Sequence, residues 1–356
     1  MQFCERFPDI IARFERFWKG EDTDRPVLFI TAPKDEPDTC VRPPELARPE
    51  DRVLPGYMVA QARHRLATTA HIAEGYPHFF VNFGPGILHG CIGGEPDFSS
   101  TATTWFPPFL SDIEQFTSLR FQPEGKWWKR IMACTNGLLE EVGDELVVSI
   151  TDLGGAADIL ASAVGTEQLL FDVVERPEAV KAAVGHCHAM WMEAYEINYA
   201  TIAAKQDVST PWWPVVSRGR TYMTQSDFNS MIGPAVFADL FAEELGEIYG
   251  SLDNGAFHLD GIGTEVHVRT LVALENLNCI QWVPEPGTSA LRHAGMLREI
   301  QKAGVSVTFG IEPGEVEAAC GEFDPRRLML SVSCESEGEA RRLVEDTLRW
   351  CKGRGW

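Results

Sequence analysis

Eight short apolar runs punctuate the chain, most followed by a stretch with the spacing of an amphipathic helix, and this alternation limits the available folds more than any other feature. The runs cover residues 27–31, 78–82, 146–151, 208–212, 257–260, 279–283, 305–310 and 328–333. The clearest of the helices carries Ala340, Leu343, Val344, Leu348 and Cys351 on one side, behind Ser336 and Glu339 in a capping-box arrangement. Because the pattern does not change between the two halves, it predicts an α/β fold of the (β/α)8 barrel type in preference to a doubly wound sheet. A single domain over residues 1–356 accommodates this, with no linker, internal repeat or low-complexity segment. A helix over about residues 3–20, with Phe3, Phe7, Ile10, Ile11, Phe14 and Trp18 on one side, is expected to cover the bottom or flank of the barrel. Residues 96–128 lack a clear period and form a long excursion of the kind that often carries function.

Charge narrows the classes of partner. With 31 basic and 52 acidic residues the formal net charge is −21, which speaks against nucleic acid, an anionic membrane surface and a highly anionic substrate. No apolar run approaches the roughly 20 residues that a membrane span requires, so a soluble, cytoplasmic protein is expected. Nine cysteines, scattered without close pairs, read as reduced and mostly buried thiols.

In a barrel the chemistry sits at the carboxyl ends of the strands. Those ends bring forward Asp152, Trp212, Trp213, His258, Asp260, Trp282, Glu285, Glu312 and Cys334, and the loop after residue 224 adds Gln225, Ser226 and Asp227. His258 and Asp260 stand at i and i+2 on one strand, so both point to the same face. Imidazole, carboxylate and thiolate are ordinary zinc ligands, which makes His258, Asp260 and Cys334 a candidate metal set. The alternative is that His258 and Asp260 bind substrate directly while Cys334 packs. The triplet His186, Cys187 and His188 lies instead in a helical stretch. There, i and i+2 diverge by roughly 200°, and Cys187 falls on an apolar stripe, so it reads as structural.

Five segments then carry a family likeness: "VNFGPGILHGCIGGEPDF", "TDLGGAADILASAVGTEQLLFDVVERPE", "TQSDF", "FHLDGIG…LNCIQWVPEPG" and "LMLSVSCESEGEA". Together they resemble the uroporphyrinogen decarboxylase superfamily over roughly residues 25–350. The resemblance implies a (β/α)8 barrel and one of two reactions: cofactor-free decarboxylation of porphyrinogen acetates, or zinc-dependent methyl transfer between corrinoid proteins and thiols. In the methyltransferases a His-x-Cys-Gly and a last-strand Cys bind zinc. Here His258 and Cys334 match, while Asp260 stands in place of the first Cys. The decarboxylases carry an arginine on an early strand to hold substrate carboxylates. The matching stretch, "VLFITAPKDE", has none, and Arg25 precedes the strand at its wrong end.

Taken together, these features predict a metal-dependent methyltransferase that uses zinc and a corrinoid carried by a partner protein. His258 and Cys334 are the expected ligands, with Asp260 a third ligand or a group orienting His258. Asp152, Asp227 and Asp260 are the expected catalytic carboxylates. Gln225, Trp212, Trp213, Trp282 and Glu285 are the expected substrate contacts, the tryptophans offering cation–π faces to a neutral or cationic methylated substrate. A cofactor-free lyase and a non-catalytic binding barrel are the alternatives, and a homodimer is among the open states of assembly.

Overall fold

The computed structural model describes residues 5–39, 42–100 and 103–352. Its strands are β1 (Val27–Pro33), β2 (Thr69–Ala73), β3 (His78–Phe79), β4 (Val147–Val148), β5 (Thr221–Gln225), β6 (Asn254–Asp260), β7 (Leu277–Val283), β8 (Ser306–Gly310) and β9 (Leu328–Ser333). Seven of them form one sheet in the order β2-β1-β9-β8-β7-β6-β5. Every pairing in it is parallel except β1 with β2. A separate parallel pair, β3-β4, completes the set. The chain is thus α/β with a mostly parallel sheet, and hydrogen bonds do not close that sheet into a ring.

Two strands and one helical segment differ from the pattern read in the sequence. Residues 208–212 form no strand, only an isolated bridge between Ser209 and Ser217, and the strand of this region is β5. Its sequence, TYMTQ, is buried throughout yet carries the polar Thr221, Thr224 and Gln225, so a search for apolar runs passes over it. β2 also went unread, because its short TAHIA run continues directly from the helix Pro55–Thr68. The segment after β6 gives two short helical turns, Glu265–His267 and Val268–Leu271, where one helix was expected.

Alternation along the strands sorts side chains into two cores. Leu28, Ile30, Phe257, Leu259, Ile280, Trp282, Leu330 and Val332 face the helices. Val27, Phe29, Met223, Ala256, Cys279 and Met329 face a second, inner cluster together with Tyr76, Val147, Val208, Val215 and Val216. The helix Phe7–Lys19 seals the amino-terminal side of that inner cluster with Phe7, Ile10, Ile11, Phe14, Phe17 and Trp18. Burying each of these side chains contributes roughly 1.5–3 kcal/mol. The indole N–H of Trp18 donates to Val216 O at 2.9 Å, and Ser306 Oγ donates to Phe17 O at 2.9 Å, fixing the helix from both sides. It stops at Gly20, whose φ of 64° lets its own N–H turn back to Phe17 O.

At this same end Arg25 is buried against Glu74, with hydrogen bonds of 2.6 and 2.9 Å to the two carboxylate oxygens. Glu74 also accepts the backbone N–H of Leu28 at 2.9 Å and faces Arg13 Nε at 3.2 Å. Arg25 is therefore fully engaged away from the carboxyl ends of the strands. No helix among the described residues is long and apolar enough to cross a membrane.

Candidate functional site

On β6, Phe257 and Leu259 enter the outer core, so Ala256, His258 and Asp260 take the opposite face. Parallel pairing sets Gln281 of β7 beside His258. His258 Nδ1 lies 2.7 Å from Gln281 Oε1, which places the proton on Nδ1 and leaves Nε2 as an acceptor or ligand atom. Nε2 in turn sits 3.7 Å from Asp260 Oδ2. Asp227, just beyond β5, brings a third donor, and one ligand atom from each of Asp227, His258 and Asp260 lies within 4.8 Å of the others.

Asp158 holds Asp227 in place. Its carboxylate accepts the backbone N–H groups of Asp227 at 3.1 Å and Phe228 at 2.9 Å, which organises the loop after β5 from below. The loop after β4 passes close beneath, because Gly155 leaves room: a Cβ there would stand 2.2 Å from Gln225 O.

The electrostatics follow from crowding acids around one imidazole. Burial opposes charging His258, but hydrogen bonds to Asp260 and Gln281 and the charges of Asp260 and Asp227 outweigh it, so its pKa is raised. Burial raises Asp227, opposed by His258 and reinforced by Asp260. Asp158 is raised as well, by burial first and then by the charge of Asp227. Asp152 is 4% exposed. Burial pushes its carboxyl up to about 6, even though Oδ1 accepts the Gly154 N–H at 2.8 Å.

A cavity of about 540 Å³ opens beside these groups, lined by Asp152, Trp212, Gln225 and His258. Trp212 packs edge-on against His258, with ring centres 4.9 Å apart. The lining also includes Arg52 and Arg65.

The remaining expected residues lie elsewhere. Trp213 turns into the inner cluster and donates to Thr308 Oγ1 at 3.2 Å. Trp282 is 0% exposed and packs against His293 in the outer core, because alternation sends it to the face opposite Gln281; it offers no cation–π face. Glu285 also faces His293, at 3.8 Å, and Glu312 is exposed. Cys334 shares the outer parity of Leu330 and Val332 and is buried there with its thiol pushed up to about 11, while the donor grouped with His258 and Asp260 is Asp227. His186, Cys187 and His188 lie on the helix Pro177–Ala203 as read from sequence, with Cys187 buried and His186 bonded to Leu119 O.

Sequence reasoning missed Gln281, Asp158, Arg52 and Arg65. A polar residue inside the apolar run CIQWV was a usable signal for Gln281. Nothing local marks a helix arginine as a cavity residue.

Two results are expected from this geometry. Gln281→Leu removes the group that fixes the tautomer and orientation of His258, and should weaken divalent-metal binding by about 10- to 100-fold with little change in melting temperature. Titration with a fluorescent competitor would measure it, and unchanged affinity would show that Gln281 does not orient the ring. Asp152→Asn keeps an acceptor for Gly154 and removes a buried charge. At pH 8 it should stabilise the protein by about 1–3 kcal/mol. The sign follows from the raised pKa: ionisation of the native carboxyl opposes folding above about pH 6. The advantage should therefore close as pH falls from about 6 towards the ordinary value of 3.8. Urea melts of both proteins across that range would show it, and a destabilised variant at pH 8 would contradict it.

The chain matches no protein-family profile and no curated protein at a significant level.

Proposed function

We propose that this chain is a divalent-metal-dependent methyltransferase of the uroporphyrinogen decarboxylase superfamily, a closed (β/α)8 barrel working in the cytoplasm with a corrinoid-carrying protein as partner. The convergence of Asp227, His258 and Asp260 carries the reading. Closure is supported by the inner cluster, in which residues of β1 and β9 share a core with residues of β4, β5, β6 and β7. Tyr76 Oη within 3.1 Å of Thr210 Oγ1 and Trp213 within 3.2 Å of Thr308 span that interior.

The donors fit a small cation. A tetrahedral ion with ligands at about 2.0–2.2 Å separates neighbouring donors by roughly 3.4 Å. The 3.7 Å between His258 and Asp260 is close to that. One nitrogen and two carboxylates make a harder set than the thiolate-bearing one expected from sequence, open to zinc but also to manganese or iron(II). When bound, such an ion supplies Lewis acidity that makes a coordinated thiol nucleophilic near neutral pH. Around it, Gln281 holds the His258 ring, Asp158 holds the Asp227 loop, Trp212 excludes water beside the imidazole, and Gln225 offers its amide to the substrate.

Protein purified without added metal should carry about one divalent ion per chain, read by mass spectrometry of the elements. A chain that neither holds nor can be loaded with such an ion would end this reading. Because His258 and Asp227 hold protons more tightly than free groups do, occupancy should begin to fall above pH 6.5, the ordinary histidine value, as the pH is lowered.

A second reading rests on Asp152. A carboxyl with a pKa of about 6, buried at the cavity wall, is suited to protonate a carbanion left by loss of CO2, the chemistry of a cofactor-free lyase. Turnover that survives complete chelation and disappears in Asp152→Asn would favour it.

A further inference from the structure

The cavity beside the triad is lined by Asp152 and His258 and, from the helix Pro55–Thr68 and the turn before it, by Arg52 and Arg65. Arg52 is committed to neutral oxygens: its guanidinium donates to Ser100 O, to Thr103 O at 2.8 Å and to Thr104 Oγ1 at 2.8 Å, and stacks on Phe98. None of these cancels its charge. Arg65 lies over the Phe79 ring at 5.2 Å, and among the described residues neither arginine has a carboxylate within ion-pair distance. Arg63, two positions earlier on the same helix, has one in Glu141.

The neighbours of Arg65 add donors. Gln61 Nε2 donates to Tyr57 Oη at 2.9 Å, so the phenol accepts from Gln61 and its own proton is available to the cavity. Asn82 Oδ1 is occupied by the Gly84 N–H at 2.8 Å, which turns the amide NH2 outward as a further donor. The lining thus offers a guanidinium fork, a phenol and an amide N–H, and among the described residues the guanidinium has no carboxylate within ion-pair distance.

We propose that the Arg65 wall binds the carboxylate of a small substrate, with the apolar body of that substrate along Phe79, Phe80 and Trp212. The guanidinium forms charge-assisted hydrogen bonds to the carboxylate, and Arg52 adds its field from behind. Asp152 and the acidic triad repel a second negative charge, so the site selects a single anionic head on an otherwise neutral molecule. A volume of about 540 Å³ suits a molecule the size of a substituted phenyl acid. That the far end of the substrate meets the triad rests on the reading given under Proposed function; the anion subsite itself does not.

The test compares three probes of one shape: 3-phenylpropionate, 3-phenylpropanamide and 3-phenylpropylammonium, titrated calorimetrically into the full chain in EDTA. The acid is expected to bind about tenfold or more tighter than the amide, and the ammonium weakest. Arg65→Met should bring the acid to the level of the amide, and Arg65→Lys should restore part of the difference. Circular dichroism checks folding, and Arg65→Gln replaces the methionine variant if that does not fold. The same preference should persist in His258→Ala, so loss of the metal reading would leave this result standing. Equal binding of acid and amide, tighter binding of the ammonium, no binding of the acid, or a preference untouched in a folded Arg65 variant would each overturn the proposal.

Discussion

On the proposed metal reading, His258→Ala will leave the protein without bound divalent metal and without metal-dependent turnover, while the melting temperature of the metal-free protein moves by only a few degrees. The imidazole is the only nitrogen among the three grouped donors, and two carboxylates alone hold an ion weakly. The ring stands half-buried against Trp212 at the end of a strand, so its removal empties little of the core. Elemental analysis after dialysis against micromolar zinc would measure the loss, and normal metal content would remove His258 from the ligand set. Two companion variants sharpen the result. Asp260→Cys should preserve or tighten zinc binding, because thiolate is a good zinc ligand, and Cys334→Ser should change nothing, because that thiol is buried in the outer core. Loss of metal in Cys334→Ser would restore the ligand set expected from sequence.

Glu74→Ala will cost about 3–5 kcal/mol of stability, the usual effect of removing one partner from a buried ion pair. The side chains of Arg25 and Glu74 are 8% and 7% exposed, so the stranded guanidinium cannot recover its hydration. Loss of Glu74 also leaves the Leu28 N–H without its acceptor at the start of β1. The double variant Arg25→Met with Glu74→Leu should regain most of the deficit, because no isolated charge then remains. Urea unfolding of the single and double variants would measure this. A Glu74→Ala protein within 1 kcal/mol of the native one, by the same standard, would mean that water reaches the pair.

The alternation of runs and helices was legible because most strands of the main sheet are buried on both faces and read as apolar stretches. β5 escaped because its inward residues, Thr221, Met223 and Gln225, mix polar and apolar groups where the interior meets the site. β6 was read correctly for the opposite reason: Phe257 and Leu259 frame His258 and Asp260, and period two orients both. The same rule, applied to β7, would have turned Trp282 outward and found Gln281. Parity likewise separates Ser333 from Cys334, but the strand end could not be placed to one residue from sequence, and that one residue decides the face. Arg52 and Arg65 meet the site only through tertiary packing, so no local spacing announces them, and the grouping of Asp227 with His258 and Asp260 likewise depends on packing.

The helix Phe7–Lys19 does more than fill space beneath the sheet. With its six large side chains packed into the inner cluster and its indole bonded to Val216, it shuts one end of the interior. Any ligand that reaches the interior then comes from the opposite rim, where the cavity lined by Trp212 opens.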